Sequence, residues 1–182
     1  MTRYFNTEGS CNPKEHYMVK LDNRLERIKR LLVERKKYFV INRGRQYGKT
    51  TTLRALEKYL MDEYIILSLD FQQLGTKDFA DEATFSDAFA DIMIRAFHIN
   101  NTDDSEELLK PLSGIRAEGS IGLKDLFVRL SDVCRNSPRP MVLMIDEIDS
   151  ASNNQVFIDF LAQLRSYYLY RDKMPIFHSV IL

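Results

Sequence analysis

The chain has 182 residues, 45% of them apolar, which is the size and composition of one globular domain with a substantial core. Its 26 Lys and Arg residues balance 26 Asp and Glu residues, so the net charge gives no argument for binding nucleic acid or membranes. Two cysteines and three scattered histidines predict neither a disulfide framework nor a zinc site. No segment resembles a signal peptide or a membrane span, and we expect a soluble cytoplasmic protein.

The charge is distributed unevenly along the chain. Residues 1–50 carry 13 basic and 5 acidic side chains, whereas the remainder carries 13 basic and 21 acidic ones. Most of the basic excess falls on one side of a predicted helix at residues 21–36, whose other side is apolar. A nucleic-acid-binding surface is the alternative interpretation, but no helix-turn-helix or zinc pattern supports it.

Hydrophobic periodicity and turn residues predict alternating strands and helices after an irregular arm, residues 1–20. The predicted helices are residues 21–36, residues 50–61, a helix capped by Thr84, a helix capped by Ser120, and a helix from Phe157 to Tyr168. The predicted strands are residues 38–41, 64–69, 141–145 and 176–182, and residues 100–120 are a connection or a short extra helix. This alternation predicts an α/β fold whose mostly parallel sheet has helices on both faces.

A glycine-containing loop lies between the first predicted strand and the next helix, where backbone N–H groups and a helix N-terminus converge on an anion. Lys49 is expected to reach the β- and γ-phosphates of a nucleotide, and the Thr50 hydroxyl is expected to ligate Mg²⁺. A side chain at Gly48 would keep the phosphate from the backbone. The predicted nucleotide-binding residues are Arg45, Gln46, Tyr47, Gly48, Lys49, Thr50 and Thr51.

This loop departs from the pattern G-x-x-x-x-G-K-[ST] that defines most phosphate-binding loops. Arg43 occupies the first glycine position, and Gly44 falls one residue late. A basic turn that contains Gly-Lys-Thr is therefore the alternative interpretation of this segment.

An acidic pair follows the buried strand at residues 141–145. Ligands of open α/β sheets bind at the carboxyl ends of the strands, where Asp146 and Glu147 lie. Asp146 is expected to hold the Mg²⁺ shell, and Glu147 to orient and polarise the attacking water. Glu147 and Lys49 are the predicted catalytic residues. An exposed acidic turn that also includes Asp149 is the alternative.

The segment Asn42–Thr51 resembles the N-R-x-R-Q-x-G-K-T-T loop of the bacterial AAA-ATPase-like family, in which Arg replaces the first glycine. The resemblance covers essentially the whole chain. Its further matches are Tyr4-Phe5-Asn6-Thr7, His16-Tyr17-Met18-Val19, Leu69-Asp70-Phe71-Gln72 and Ile145-Asp146-Glu147-Ile148-Asp149.

The family resemblance implies a P-loop NTPase fold of the additional-strand type, with strand order 1-4-3-2 and residues 176–182 inserted between the loop strand and the acidic strand. It also implies that residues 21–182 are an incomplete ATPase core, preceded by the arm. The fifth strand, the arginine-bearing lid and a restriction-type nuclease domain would be missing from this N-terminal fragment. An end inside an apolar strand favours the same interpretation.

Within this resemblance, the arm around His16, Tyr17 and Met18 would pack over the adenine; a surface arm covering the helix at residues 21–36 is the alternative. ATP is expected as the nucleotide because the Asn-Lys-x-Asp signature for guanine is absent. Without a fifth strand, the loop strand would be an exposed sheet edge through which the chain self-associates.

We therefore expect an Mg²⁺-dependent ATPase module whose cycle drives a conformational change in a C-terminal effector domain. Turnover is expected to be slow, since no arginine finger or sensor residue is evident. Nucleic acid would be contacted only indirectly, through the missing domain. A nucleotide-gated binding switch with little or no hydrolysis is the alternative function.

Overall fold

The computed structural model describes residues 4–6, 14–17, 19–42, 48–100, 106–115 and 121–182. Its α-helices are α1 (Asp22–Ile28), α2 (Lys49–Leu60), α3 (Glu82–Asn100), α4 (Glu106–Ser113), α5 (Leu123–Asn136) and α6 (Gln155–Leu169). Its strands are β1 (Tyr38–Phe39), β2 (Ile65–Asp70), β3 (Met141–Asp146) and β4 (Ser179–Ile181). Short 3₁₀ turns cover Phe71–Gln73, Thr76–Phe79 and Ile148–Ser150.

The four strands form one parallel sheet in the order β1-β4-β3-β2. Strands β2 and β3 pair from Ile65 opposite Met141 to Asp70 opposite Asp146. Strand β4 lies between β3 and β1, and β1 lies at one edge of this sheet. The predicted α/β class and the strand order 1-4-3-2 are confirmed.

The first and last predicted strands, residues 38–41 and 176–182, are shorter in the structure than expected. Strand β4 begins at Ser179 rather than at residue 176. The backbone groups of the two preceding residues form other hydrogen bonds. The Phe177 carbonyl accepts a hydrogen bond from the Tyr38 hydroxyl at 2.9 Å, and the His178 N–H donates to the Met141 carbonyl at 2.7 Å. Pairing at the other end continues past β1, where the Ile41 N–H donates to the Leu182 carbonyl at 2.8 Å.

Helices cover both faces of the sheet, as a parallel sheet requires. Because side chains alternate along a strand, odd and even residues of β2 enter two separate apolar clusters. Ile66 of β2 and Val142 of β3 pack with Leu56 of α2 and with α1. The larger cluster on the other face joins the sheet to helices α3 to α6 and contains seven mutually packed phenylalanines: Phe71, Phe79, Phe85, Phe89, Phe127, Phe157 and Phe160.

The first predicted helix, residues 21–36, changes character halfway along. Regular α-helix ends at Ile28, and Lys29–Val33 continues as a π-helix, in which the Glu34 N–H donates to the Lys29 carbonyl at 2.9 Å. The wider turn shifts the buried face by one residue. Val33 is fully buried, whereas the neighbouring Leu32 is only half-buried.

Helix α3 is capped by Asp81, so the predicted cap at Thr84 was wrong. The helix begins at Glu82, and the Thr84 N–H donates to the Asp81 Oδ1 at 2.8 Å. This bond stabilises the ionised carboxylate and lowers the pKa of Asp81. Thr84 is thus the donor of the cap. The other predicted cap, Ser120, lies outside the described residues.

Helix α5 is capped from a distant part of the chain. The Leu123 N–H donates to Glu82 Oε2 at 3.0 Å, which joins the first turns of α3 and α5. A Cβ atom at Gly122 would lie 2.8 Å from the same oxygen. Glycine at this position therefore leaves room for the carboxylate that caps the helix.

His178 connects β4 to the end of the π-helix. Its Nε2 lies 3.0 Å from the Val33 carbonyl, and its ring lies 5.2 Å from the ring of Tyr64. Burial is the main cause that lowers the pKa of His178, and the charges of Lys36 and Arg171 lower it further. Burial and the two nearby cations therefore favour the neutral form of this imidazole.

We predict that the protein loses stability as the pH falls below 6.5, the ordinary pKa of histidine. In that range the unfolded chain binds a proton at His178 that the folded protein binds only at lower pH, so protonation favours unfolding. The variant His178→Gln keeps a side-chain donor for Val33 and should show a weaker loss. Urea unfolding at about pH 5 and about pH 7.5 measures this difference. The exposed His98→Gln is the matched control, and an equal pH dependence in both variants would contradict the prediction.

Candidate functional site

The carboxyl edge of the sheet brings together residues from β2, β3 and α2. Because all strands are parallel, the chain leaves β1 and β3 at the same edge. Helix α2 begins there at Lys49, and β3 ends there at Asp146. This is the edge at which open α/β sheets bind their ligands.

Thr50 and Asp146 are in direct contact, although 96 positions separate them in the sequence. The Thr50 Oγ1 donates a hydrogen bond to the Asp146 Oδ2 at 2.8 Å, and the Lys49 Nζ lies 3.5 Å from the Asp146 Oδ1. Side-chain exposures of 23% for Lys49 and 15% for Asp146 leave this group accessible from one side. The structure thus brings together three residues that the sequence analysis assigned to one site.

The chemistry of these oxygens suits a magnesium ion, because Mg²⁺ takes hard oxygen ligands. The Thr50 hydroxyl and the Asp146 carboxylate would hold such an ion. Within the described ranges, no group of three or more His, Cys, Asp or Glu side chains has metal-binding geometry. Mg²⁺ held by one or two protein oxygens, phosphates and water does not need such a group.

Gly48 has the backbone conformation that starts α2 directly after the loop. Its φ of 74° and ψ of 34° are left-handed, which glycine adopts without the steric cost that a side chain brings. A Cβ atom there would meet the Thr51 Cβ at an ordinary 3.9 Å, so the backbone conformation favours glycine. The Gly48 carbonyl accepts hydrogen bonds from the Thr52 N–H at 2.9 Å and the Thr52 hydroxyl at 2.8 Å. These bonds fix the first turn of the helix.

Glu147 also has a left-handed backbone, which is costly for a residue with a side chain. Its φ is 58° and its ψ is 36°, and its N–H donates to the Asp146 Oδ1 at 3.0 Å. The turn places Glu147 between the end of β3 and the 3₁₀ turn Ile148–Ser150. Backbone strain of this kind is concentrated at active sites and ligand clamps. The predicted catalytic glutamate therefore lies at a strained position beside the Thr50 and Asp146 contact.

Asp70 is a site residue that the sequence analysis did not assign. It pairs in register with Asp146, so both side chains project from the face of the sheet that α2 covers. The Asp70 Oδ1 accepts a hydrogen bond from the Gln72 N–H at 2.9 Å, which orients the carboxylate. The predicted strand ended at residue 69, and cross-strand register cannot be read from one sequence. The acidic residue at the end of β2 was the available signal.

Several predicted binding residues cannot be placed relative to this contact. Arg45, Gln46 and Tyr47 lie outside the described residues. Thr51 lies in the first turn of α2 and is half-buried.

The predicted arm is described only in part, and Met18 lies outside the described residues. Residues 4–6 and 14–17 of the arm pair with each other: the Tyr4 N–H donates to the Glu15 carbonyl at 3.1 Å, and the Tyr17 N–H donates to the Tyr4 carbonyl at 3.0 Å. His16 is buried and lies edge-on to the Tyr4 ring, with the ring centroids 4.7 Å apart. Tyr17 is half exposed and packs on Phe5.

Comparison with known proteins identifies no relative. No family model matches the chain, and no significant similarity to a curated protein or a solved structure was found. In the part of the chain that the structure describes, no helix has both the length and the apolar character needed to cross a membrane.

Repulsion between Asp70 and Asp146 gives a prediction for the ligand-free protein. Asp70 and Asp146 are register partners, and like charges at partner positions on one face of a sheet are destabilising, by an amount on the order of the 0.2–1 kcal/mol that cross-strand pairs contribute. The variant Asp70→Asn relieves this repulsion and keeps an oxygen acceptor for the Gln72 N–H. Asp78→Asn is the matched control, since Asp78 also accepts a backbone hydrogen bond, from Gly75. In urea unfolding, Asp70→Asn should lose less free energy of unfolding than Asp78→Asn, by about 0.5 kcal/mol. A larger loss in Asp70→Asn than in Asp78→Asn would contradict the repulsion.

Proposed function

We propose that this chain is a P-loop ATPase domain that binds ATP with Mg²⁺ and hydrolyses it at the carboxyl edge of the sheet. The contact between the Thr50 hydroxyl and the Asp146 carboxylate carries the proposal. It joins the start of a helix that follows a glycine to the end of a central strand, and these are the two places from which P-loop enzymes hold Mg²⁺.

The charges around this contact suit a nucleotide triphosphate. Phosphates would meet the backbone N–H groups at the start of α2, where the helix dipole adds positive potential. Lys49 brings a full positive charge to the same place and lies 3.5 Å from the Asp146 Oδ1. Bound phosphates would attract the Lys49 ammonium, and a metal ion between Thr50 and Asp146 would neutralise the carboxylate.

Glu147 is the residue to which we assign activation of the attacking water. A carboxylate next to the metal-binding residue can orient a water molecule towards the terminal phosphate and accept its proton. The left-handed backbone of Glu147 turns the chain immediately after Asp146. Mg²⁺ supplies charge stabilisation for the phosphates when it is bound.

The wider role in this proposal rests on the resemblance to the AAA-ATPase-like family. The position of β4 between β1 and β3 supports the resemblance, because the additional-strand ATPases have the same strand order. ATP as the preferred nucleotide, and coupling of its cycle to a C-terminal effector domain, belong to the same proposal. Turnover by this chain is expected to be slow.

The proposed function predicts nucleotide binding. A fluorescent ATP analogue should bind in the presence of Mg²⁺, and Lys49→Ala should weaken binding about tenfold or more, because a charge-assisted contact to phosphate is lost. Lys58→Ala, an exposed lysine in the last turn of the same helix, is the matched control. Equal affinities in the two variants, or no binding by folded wild-type protein, would contradict the proposed site.

The proposed function also predicts hydrolysis of ATP. Glu147→Gln should keep the affinity for ATP and Mg²⁺ but lower the rate of phosphate release about 10²- to 10⁴-fold, because an amide cannot accept the proton of the water. Single-turnover assays with radiolabelled ATP measure this rate, with the exposed Glu106→Gln as the control. A wild-type protein that binds ATP without hydrolysing it would instead be a nucleotide-gated switch. An unchanged rate in Glu147→Gln would remove Glu147 from the mechanism.

A further inference from the structure

A pocket lies at the opposite, amino-terminal edge of the sheet. It has a volume of about 240 Å³ and is bordered by residues that precede three strands: Lys36 before β1, Met141 at the start of β3, and His178 before β4. The segment between α6 and β4 closes another side with Arg171 and Asp172. The length of the strands separates this pocket from Asp146 and Lys49.

Two cationic residues, Lys36 and Arg171, border this pocket. The Arg171 Nη1 donates a hydrogen bond to the Lys36 carbonyl at 2.9 Å, so the guanidinium lies beside the lysine backbone. The guanidinium also lies over the Tyr168 ring, 4.4 Å from its centroid, which restricts its position. His178 in the wall of the pocket feels both positive charges, and each contributes to the lowered pKa of its imidazole.

These cations have no carboxylate partner in the described part of the chain. Neither Lys36 nor Arg171 has an Asp or Glu oxygen within 4.0 Å among those residues. Asp172 borders the pocket from an exposed position and forms no ion pair with either of them. Two positive charges and one negative charge leave an excess of one positive charge around the opening.

The backbone of Lys36 is held in an unfavourable conformation. Its φ of 54° is left-handed, and two hydrogen bonds fix it: the Lys36 N–H donates to the Val33 carbonyl at 2.8 Å, and Arg171 binds its carbonyl. The backbone from which the Lys36 side chain leaves is therefore fixed beside Arg171.

The inner wall of the pocket is uncharged. Met141 and Phe177 are buried, and burial raises the pKa of the Cys134 thiol to about 12, so this group is neutral. Charge pairing is stronger against such a wall than in open water. A volume of about 240 Å³ exceeds the need of a single water molecule and lies below the roughly 300–1,000 Å³ of pockets for drug-sized ligands.

We propose that this pocket binds a small phosphate anion, held by the Lys36 ammonium and the Arg171 guanidinium. Arginine suits phosphate because its planar group offers parallel N–H donors to two oxygens, and lysine adds a point charge. The Arg171 Nη1 that binds the Lys36 carbonyl leaves the other guanidinium nitrogens for the ligand. The proposal does not depend on the proposed ATPase activity, because no residue is shared between the two sites.

The test measures binding of inorganic phosphate by calorimetry at constant ionic strength, in a Lys49→Ala background that weakens the proposed nucleotide site. In this background we expect Lys36→Gln to weaken phosphate binding about tenfold or more, through loss of a charge-assisted contact. Lys37→Gln removes the same charge at the next position, outside the pocket, and should leave the affinity unchanged. Asp172→Asn should bind phosphate more tightly, an effect in the opposite direction that damage to the fold would not produce.

The same titration followed by amide NMR spectra locates the anion. Chemical-shift changes concentrated at residues 36, 141 and 171–178 support the proposal, and changes concentrated at the start of α2 overturn it. Equal phosphate affinities in Lys36→Gln and Lys37→Gln, or no binding by the folded Lys49→Ala protein, also overturn it. Succinate binding at least as tight as phosphate binding would overturn the assignment to phosphate. Each of these results leaves the ATP-binding test, made at the other edge, unaffected.

Discussion

Parallel pairing of the central strand β3 with β2 and β4 is the constraint on which the rest of the structure depends. A parallel strand cannot be joined to its neighbour by a tight turn, so each connection crosses the sheet through a helix. Five of the six residues of β3, from Met141 to Ile145, are almost completely buried, and Asp146 is the first that reaches solvent. The same pairing therefore creates the core and delivers a carboxylate to the edge where α2 begins.

The two edges of the sheet differ in charge because of this arrangement. At the carboxyl edge, Asp70 and Asp146 end neighbouring strands, Glu147 follows Asp146, and Lys49 at the start of α2 lies 3.5 Å from the Asp146 Oδ1. At the amino edge, Lys36 and Arg171 approach through a backbone hydrogen bond with no carboxylate beside them in the described chain. Both edges contain a residue with left-handed backbone, Glu147 at one and Lys36 at the other. Burial of a core that contains seven mutually packed phenylalanines offsets the energetic cost of such conformations.

The sequence predicted much of this organisation because the relevant signals are local. Uninterrupted apolar runs marked β2 and β3, and helical periodicity located α2 and α5 to within two or three residues. Strand order came from the family resemblance, since no local pattern specifies which strands are neighbours. Local sequence signals did not predict the features that depend on residues far apart in the chain. Asp70 enters the site only through its register with Asp146, and Glu82 caps a helix that begins 41 positions later. Capping by Asp81 in place of Thr84 was missed because either residue type can cap a helix.

The π-helix at Lys29–Val33 determines the direction in which Val33 and the residues leading to β1 point. Each residue of an α-helix turns the chain by about 100°, so one residue accommodated in a wider turn rotates the subsequent side chains around the axis. Val33 is thereby buried, and its carbonyl faces His178 across the start of β4. A chain shortened by one residue in this stretch would form a more regular helix. Val33 would then rotate away from the core, and residues 34–37 would leave the helix in a different direction from the one that leads to β1. The irregular turn thus acts as a fixed spacer, and this helix should tolerate substitutions on its exposed side far better than any change in its length.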